Sequence, residues 1–121
     1  MKNISGVSPY SFPGIVFIEM NPYRIDEIVC NAYGLTLELL RARTRKRVIA
    51  EPRAICMALR SIITGESLSK IGKYFMKDHA TVVYARRMFL VHYEVEPDYR
   101  AKVQGILKAL NISVDRIERY L

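Results

Sequence analysis

The sequence predicts an all-α fold, a compact bundle of about five to seven helices that includes a helix-turn-helix. Three observations carry that prediction. Apolar residues recur at helical spacing in several segments, as in Ile55, Leu59 and Ile62 and again in Tyr99, Val103, Ile106 and Leu110. Helix starts and stops punctuate the chain at Asn21-Pro22, Gly34, Gly65, Ser67 and Pro97. Finally, Ser67 to Arg87 reads as a short helix, a tight turn and a basic helix in direct succession.

Taken in order, residues 1–20 are an N-terminal extension open to three readings, an ordered strand, an arm packed on the domain or a tail; pairing with a second copy through it is one form of self-association it allows. Residues 21–121 form the domain. Asn21 is a suitable N-cap with Pro22 at the first helical position, and Ile25, Ile28, Val29 and Ala32 then share one face until Gly34 stops the helix. A short helix is expected from Leu37 to Leu40. The segment from Arg41 to Val48 has no helical stripe and reads as a linker or arm. A long helix follows from Glu51 or Pro52, with Gly65 after it.

Ser67 caps the next helix, in which Leu68, Ile71 and Phe75 are inward and Gly72 leaves a flat spot for a crossing helix. Met76, Lys77 and Asp78 make the turn. From Asp78 onward Val82, Ala85 and Phe89 form the inward stripe, while Ala80, Val83, Tyr84 and Arg87 fall on the opposite side. Pro97 opens another helix, and Val114 to Leu121 form a last short one capped by Ser113.

Composition narrows the function classes. The chain has 121 residues, 50% of them hydrophobic, which suits one domain with a core, and its formal charge of +7 favours an anionic partner. Arg41, Arg43, Arg45, Lys46, Arg47, Arg53 and Arg60 cluster against a single acid, Glu51, so the positive field is concentrated rather than spread. Cys30 and Cys56 are too few for a disulfide framework and read as reduced core thiols, as expected of a cytoplasmic protein. The apolar run Phe12 to Met20 is short, is interrupted by Pro13 and Gly14 and lacks a cleavage site, so neither export nor a membrane partner is expected. No catalytic residues, metal or cofactor are expected. His79 and His92 have no carboxylate cluster that spacing would single out, and neither a metal-ligand pattern nor a Gly-x-x-x-x-Gly-Lys-Ser/Thr phosphate loop occurs in the sequence.

The basic helix points to double-stranded DNA. An Asp78 cap places His79 and Ala80 in the first turn, at the end that a helix-turn-helix presents to the major groove. Arginine suits both tasks there, since its planar fork pairs bidentately with phosphate or guanine and its charge does not titrate away.

These residues also carry a family resemblance. From Tyr23 to about Leu110 the chain resembles the C-terminal DNA-binding domain, domain IV, of the bacterial DnaA replication initiators, a helix-turn-helix of the Trp-repressor-like superfamily. The resemblance rests on Arg45-Lys46-Arg47-Val48, on Pro52-Arg53 with Ile55 to Leu59, on Ser67-Leu68 with Ile71-Gly72 and Phe75, and on Lys77-Asp78-His79 with Thr81-Val82 and Ala85-Arg86-Arg87. Together with the basic run and the outer face of the helix it points to DNA contacts by Arg43, Arg45, Lys46, Arg47, Arg53, Ser67, Lys77, Asp78, His79, Ala80, Thr81, Tyr84 and Arg87, of which Tyr84 offers either a contact to sugar or phosphate or a cover for apolar surface. Within that set Arg45 or Arg47 enters the minor groove, and Arg53, Lys77 and Arg87 hold phosphate. Asp78 has two compatible roles, helix cap and acceptor for a cytosine amino group. Thr81 offers its hydroxyl either to phosphate or to its own helix.

The chain departs from the family at three places. Met76-Lys77 replaces the usual Gly-Gly-Arg turn with one residue fewer, Ala80 replaces a threonine, and one residue is inserted between Leu40 and Pro52. Because the family's initiators also carry an ATPase module, the expected protein is a stand-alone DNA-box reader of bacterial or phage origin, acting as a regulator or accessory replication protein. Two alternatives stay open, a ligand-responsive regulator like the Trp repressor and a protein-interaction module that keeps the fold.

Overall fold

The computed structural model describes residues 17–121, and these form seven α-helices with no strand among them. Most of the N-terminal extension therefore lies outside the described residues. Phe17 to Met20 pack on the domain: the Ile18 amide donates to the Ile63 carbonyl at 2.8 Å, satisfying an acceptor at a helix end. Gly65, at φ +70°, sits directly beneath the Phe17 ring, which a β-carbon would approach to 2.5 Å.

Helix α1 (Pro22–Tyr33) begins under the Asn21 side chain, which accepts from the Tyr23 amide, and ends at Gly34 in the left-handed region. Its buried face is rotated from the expected one: Ile25, Asp26, Val29 and Cys30 are buried, Ile28 is half-buried and Ala32 is exposed. The cause is Asp26, which must face inward to meet Arg60. Thr36 caps α2 (Leu37–Leu40).

Helix α3 (Arg47–Leu59) starts about a turn before the expected Glu51 or Pro52 and holds Pro52 in its interior. Pro52 has no N–H for the Val48 carbonyl, but Val48 is 69% exposed, so water can serve that acceptor. The helix continues into a π-helical turn (Arg60–Thr64) in which Arg60, Ser61, Ile62 and Ile63 are all buried, because the turn meets α1, α4 and α7. The helix-turn-helix follows as α4 (Leu68–Phe75) and α5 (His79–Val95). Helices α6 (Pro97–Ala109) and α7 (Asp115–Glu118) complete the bundle, with Tyr99, Val103, Ile106 and Leu110 inward as expected. Ser113 accepts from the Asp115 amide ahead of α7, which is shorter than the sequence suggested. Helix α3 packs against α5, α1 and α2, so it is the element on which the helix-turn-helix is mounted.

Arg60 was expected in the basic surface cluster, but it is 2% exposed. It pairs through Nη1 with Asp26 Oδ2 at 3.0 Å and through Nε and Nη2 with both oxygens of Glu66 at 2.8 and 3.1 Å. Its guanidinium also lies 4.4 Å from the centre of the Tyr74 ring on α4. Cys30 and Cys56 are free and buried, and burial raises both thiol pKa values. No helix among the described residues is long and apolar enough to cross a membrane.

Asp26 Oδ1 has no hydrogen-bond partner among the described residues. Burial pushes the Asp26 carboxyl up to about 6, against the downward pull of Arg60. The folded state therefore holds this proton more tightly than the unfolded chain, and stability should fall as pH rises from the ordinary carboxylate value of 3.8 to about 6. Asp26→Asn keeps an acceptor for Arg60 and removes the titration. Urea melts across that window should show a smaller decline in the variant than in the parent, and superimposable pH profiles would contradict the assignment.

Candidate nucleic-acid interface

The helix-turn-helix is shaped by its turn. The backbone after α4 folds over Gly72, where a β-carbon would come within 2.6 Å of the Lys77 carbonyl, and the Lys77 amide donates to the Gly72 carbonyl at 2.8 Å. Gly72 thus makes room for the turn and for the Asp78 cap with which the crossing helix α5 begins. Met76 closes α4 at φ +57°, a left-handed conformation that costs a residue with a β-carbon about 1–2 kcal/mol. Ser67 caps the other end of α4, accepting from the Lys70 amide at 3.1 Å.

Asp78 caps α5. One of its oxygens accepts from both the amide and the hydroxyl of Thr81, at 2.9 and 2.8 Å, and these bonds hold the carboxyl below the usual range. Thr81 therefore spends its hydroxyl proton inside the cap and not on its helix backbone, so its use as a phosphate donor requires that bond to open. The second oxygen of Asp78 faces an exposed helix end. Beyond the cap, His79, Ala80, Tyr84 and Arg87 are exposed, Tyr84 by 60%, whereas Val82, Ala85 and Phe89 are buried. Val83, placed on the outer side by spacing, is half-buried. Arg86 turns back to donate to the Ser61 hydroxyl at 2.8 Å, tying α5 to the π-helical turn.

The basic segment divides into two populations. Arg43, Arg45, Lys46 and Arg47 are exposed, though Arg47 belongs to the first turn of α3 and not to an arm. Arg47 pairs with Glu51 across one helical turn at 3.4 Å, a solvent-exposed contact that leaves its charge available. Glu51, the only acid in the segment, also accepts from the Tyr33 hydroxyl. Arg41 and Arg53 point elsewhere. Arg41 donates through Nε to the Tyr74 carbonyl at 3.0 Å and its guanidinium lies 4.4 Å from the Tyr74 ring centre, joining the loop before α3 to the end of α4. Arg53 is 4% exposed, and its guanidinium donates to the carbonyls of Leu40, Ala42 and Thr44 at 3.0, 2.6 and 3.1 Å. That geometry overturns the reading of Arg53 as a phosphate clamp, because its fork is already occupied by backbone.

The predicted residues thus fall in two neighbouring groups, the loop cations and the turn with the first two turns of α5, linked by Arg41. Lys77 is half-buried within the turn, and Ser67 is exposed at the far end of α4. Lys70 and Lys73, exposed on α4, were not singled out, although their spacing of three after the Ser67 cap places them opposite Ile71 and Phe75. No cluster of three or more metal-ligating side chains occurs among the described residues.

The sequence of these elements is similar to that of known proteins. The family model described as bacterial dnaA protein helix-turn-helix matches residues 22–88, from the start of α1 into α5. The chromosomal replication initiator protein DnaA of Bacteroides thetaiotaomicron is 37% identical over 97 residues, 77% of this chain and 21% of that protein. The initiator of the same name from Thermoanaerobacter pseudethanolicus is 49% identical over 61 residues, 50% of this chain and 14% of that protein. The one from Bacteroides fragilis is 34% identical over 106 residues, 82% of this chain and 22% of that protein. The chain spans about a fifth or less of the length of the curated relatives it matches.

The left-handed Met76 generates a direct test. Met76→Gly removes the β-carbon penalty at the turn and gives back part of the gain as backbone entropy, so a net stabilisation of about 0.5–1 kcal/mol is expected. Chemical denaturation should show the midpoint rising with an unchanged slope. A fall in midpoint would mean that the Met76 side chain, and not its backbone, is what the turn needs.

Proposed function

Because the chain belongs to the family of bacterial DnaA helix-turn-helix domains, we propose that it binds a specific double-stranded DNA sequence, as a box-reading regulator or accessory replication factor located on the nucleoid. The observation that carries this reading is the exposed face of α5, where an anchored Asp78 cap puts His79 and Ala80 foremost, beside a loop from which Arg43, Arg45 and Lys46 are exposed to solvent. The first turn of α5 enters the major groove. There the free oxygen of Asp78 accepts from a cytosine amino group, His79 meets a base edge or phosphate, and the Ala80 methyl touches a thymine methyl. Arg45 takes the minor groove, since it is in the loop, while Arg47, Lys77, Arg87 and Tyr84 contact the backbone on either side.

A ligand-responsive regulator would need its effector to position α5. The open groove beside Arg24, Glu27, Ile28, Leu35 and Leu37 draws none of its lining from α4 or α5, and so gives that alternative no support.

Selection from a random duplex pool tests the proposal. An ordered motif is expected, and a recovered pool that differs from the input only in base composition would count against sequence-specific reading. On the selected site, Arg45→Ala should cost about 1–3 kcal/mol, with the larger loss where A·T pairs flank the major-groove contacts. Equal loss on all flanks would reduce Arg45 to a phosphate contact. Ala80→Thr restores a hydroxyl where the family has threonine and should re-order a panel of single-base variants of the site. An unchanged ranking would show that position 80 does not read bases.

A further inference from the structure

We infer that Arg53 is a positioning residue for DNA binding: its buried fork fixes the conformation of the loop that carries Arg43 and Arg45, and so lowers the ordering cost of binding without touching DNA. This rests on the DNA-binding reading above. Three hydrogen bonds run from one guanidinium to the carbonyls of Leu40, the last residue of α2, and of Ala42 and Thr44 in the loop after it, where beyond Ala42 the backbone's own bond is that of the Thr44 amide to the Ala42 carbonyl. A charged donor in a site with little water makes such bonds stronger than neutral ones, and their spacing holds the strand of backbone in one shape. The Thr44 hydroxyl accepts from the Lys46 amide at 3.2 Å, and Arg41 fastens the start of the loop to the Tyr74 carbonyl at the end of α4. Inward arginines therefore hold the loop from both sides, and its outward residues, Arg43 and Arg45, inherit a set direction.

Lysine at this position separates the two roles an arginine could play. It keeps the charge that a phosphate contact needs, but an ammonium at the end of a flexible stem cannot reproduce a planar fork aimed at three carbonyls. Arg53→Lys in the full chain should weaken binding to the highest-ranked selected duplex by about 10-fold, with the log–log salt slope unchanged, since no phosphate contact is lost. In the free protein, amide exchange across residues 42–46 should accelerate while the α5 core stays protected. Thr44→Gly loosens the same loop without a buried change. It should reproduce the pattern more weakly, and it carries the test if Arg53→Lys does not fold.

Retained affinity in a folded Arg53→Lys, or in Thr44→Gly with faster loop exchange, would overturn the inference. So would a loss of affinity of about 10-fold in Arg53→Lys with loop exchange unaltered, since the loss would then not come through the loop. Failure of the parent chain to bind the selected duplex would instead mark the failure of the DNA-binding reading itself, and the inference with it.

Discussion

A buried guanidinium, that of Arg60, fixes where the helix-turn-helix sits. It joins Asp26 on α1 and Glu66 ahead of α4, and it lies over Tyr74 within α4, so one side chain ties three successive parts of the chain around the π-helical turn. Taking these charges out of water is expensive, and an ion pair of this kind is not itself strong evidence of stability. Its directional demands are another matter. Removing Arg60 would leave the Asp26 and Glu66 carboxylates without their cation in the interior at a cost of about 3–5 kcal/mol, so arrangements of α1 and α4 that fail to bring it to them are disfavoured. The rotation of α1 that buries Asp26 and leaves Ala32 in solvent follows from the same demand.

The arginines of the chain are therefore not interchangeable units of positive charge. Arg60 and Arg53 are internal, Arg41 and Arg86 are partly so, and each bridges separate elements of the fold. Around the helix-turn-helix and the loop before α3 what remains outside is a smaller set, Arg43, Arg45, Lys46 and Arg47 in one group and Arg87 beyond the α5 cap, with Lys70 and Lys73 on α4, while Arg24, Lys102, Lys108 and Arg119 are exposed elsewhere. The formal charge of +7 fits an anionic partner, but it does not say where the field is presented. The fold decides that, by spending some cations as internal struts and aiming the others.

The same division explains what could be read in advance. Caps and stripes are local, so Asn21, Ser67, Asp78 and Gly65 were found at their elements, and the inward residues of α5 and α6 were found by spacing. The start of α3 was not. Its first turn carries exposed Arg47 and Val48 with no stripe to reveal it, and Pro52 looked like a boundary when it is an interior residue whose lost hydrogen bond falls at the solvent side. Arg53 and Arg60 were misread because their partners, Leu40 to Thr44 for one and Asp26 for the other, are set by tertiary contact that no periodicity encodes. Gly72 was correctly singled out as a place of close approach, and the approaching group is the turn five residues on with the cap of α5.

In the function proposed above, two separately built surfaces, the loop before α3 and the first turns of α5, act as one DNA-facing unit held by internal arginines. Titrating isotope-labelled protein with a selected duplex and following every backbone amide by NMR tests it most directly. The largest shifts are expected together at residues 43–47 and 77–87, with the groove between α1 and α2 and the outer face of α6 undisturbed. Shifts confined to one of the two groups, or centred on α1 and α2, would contradict it.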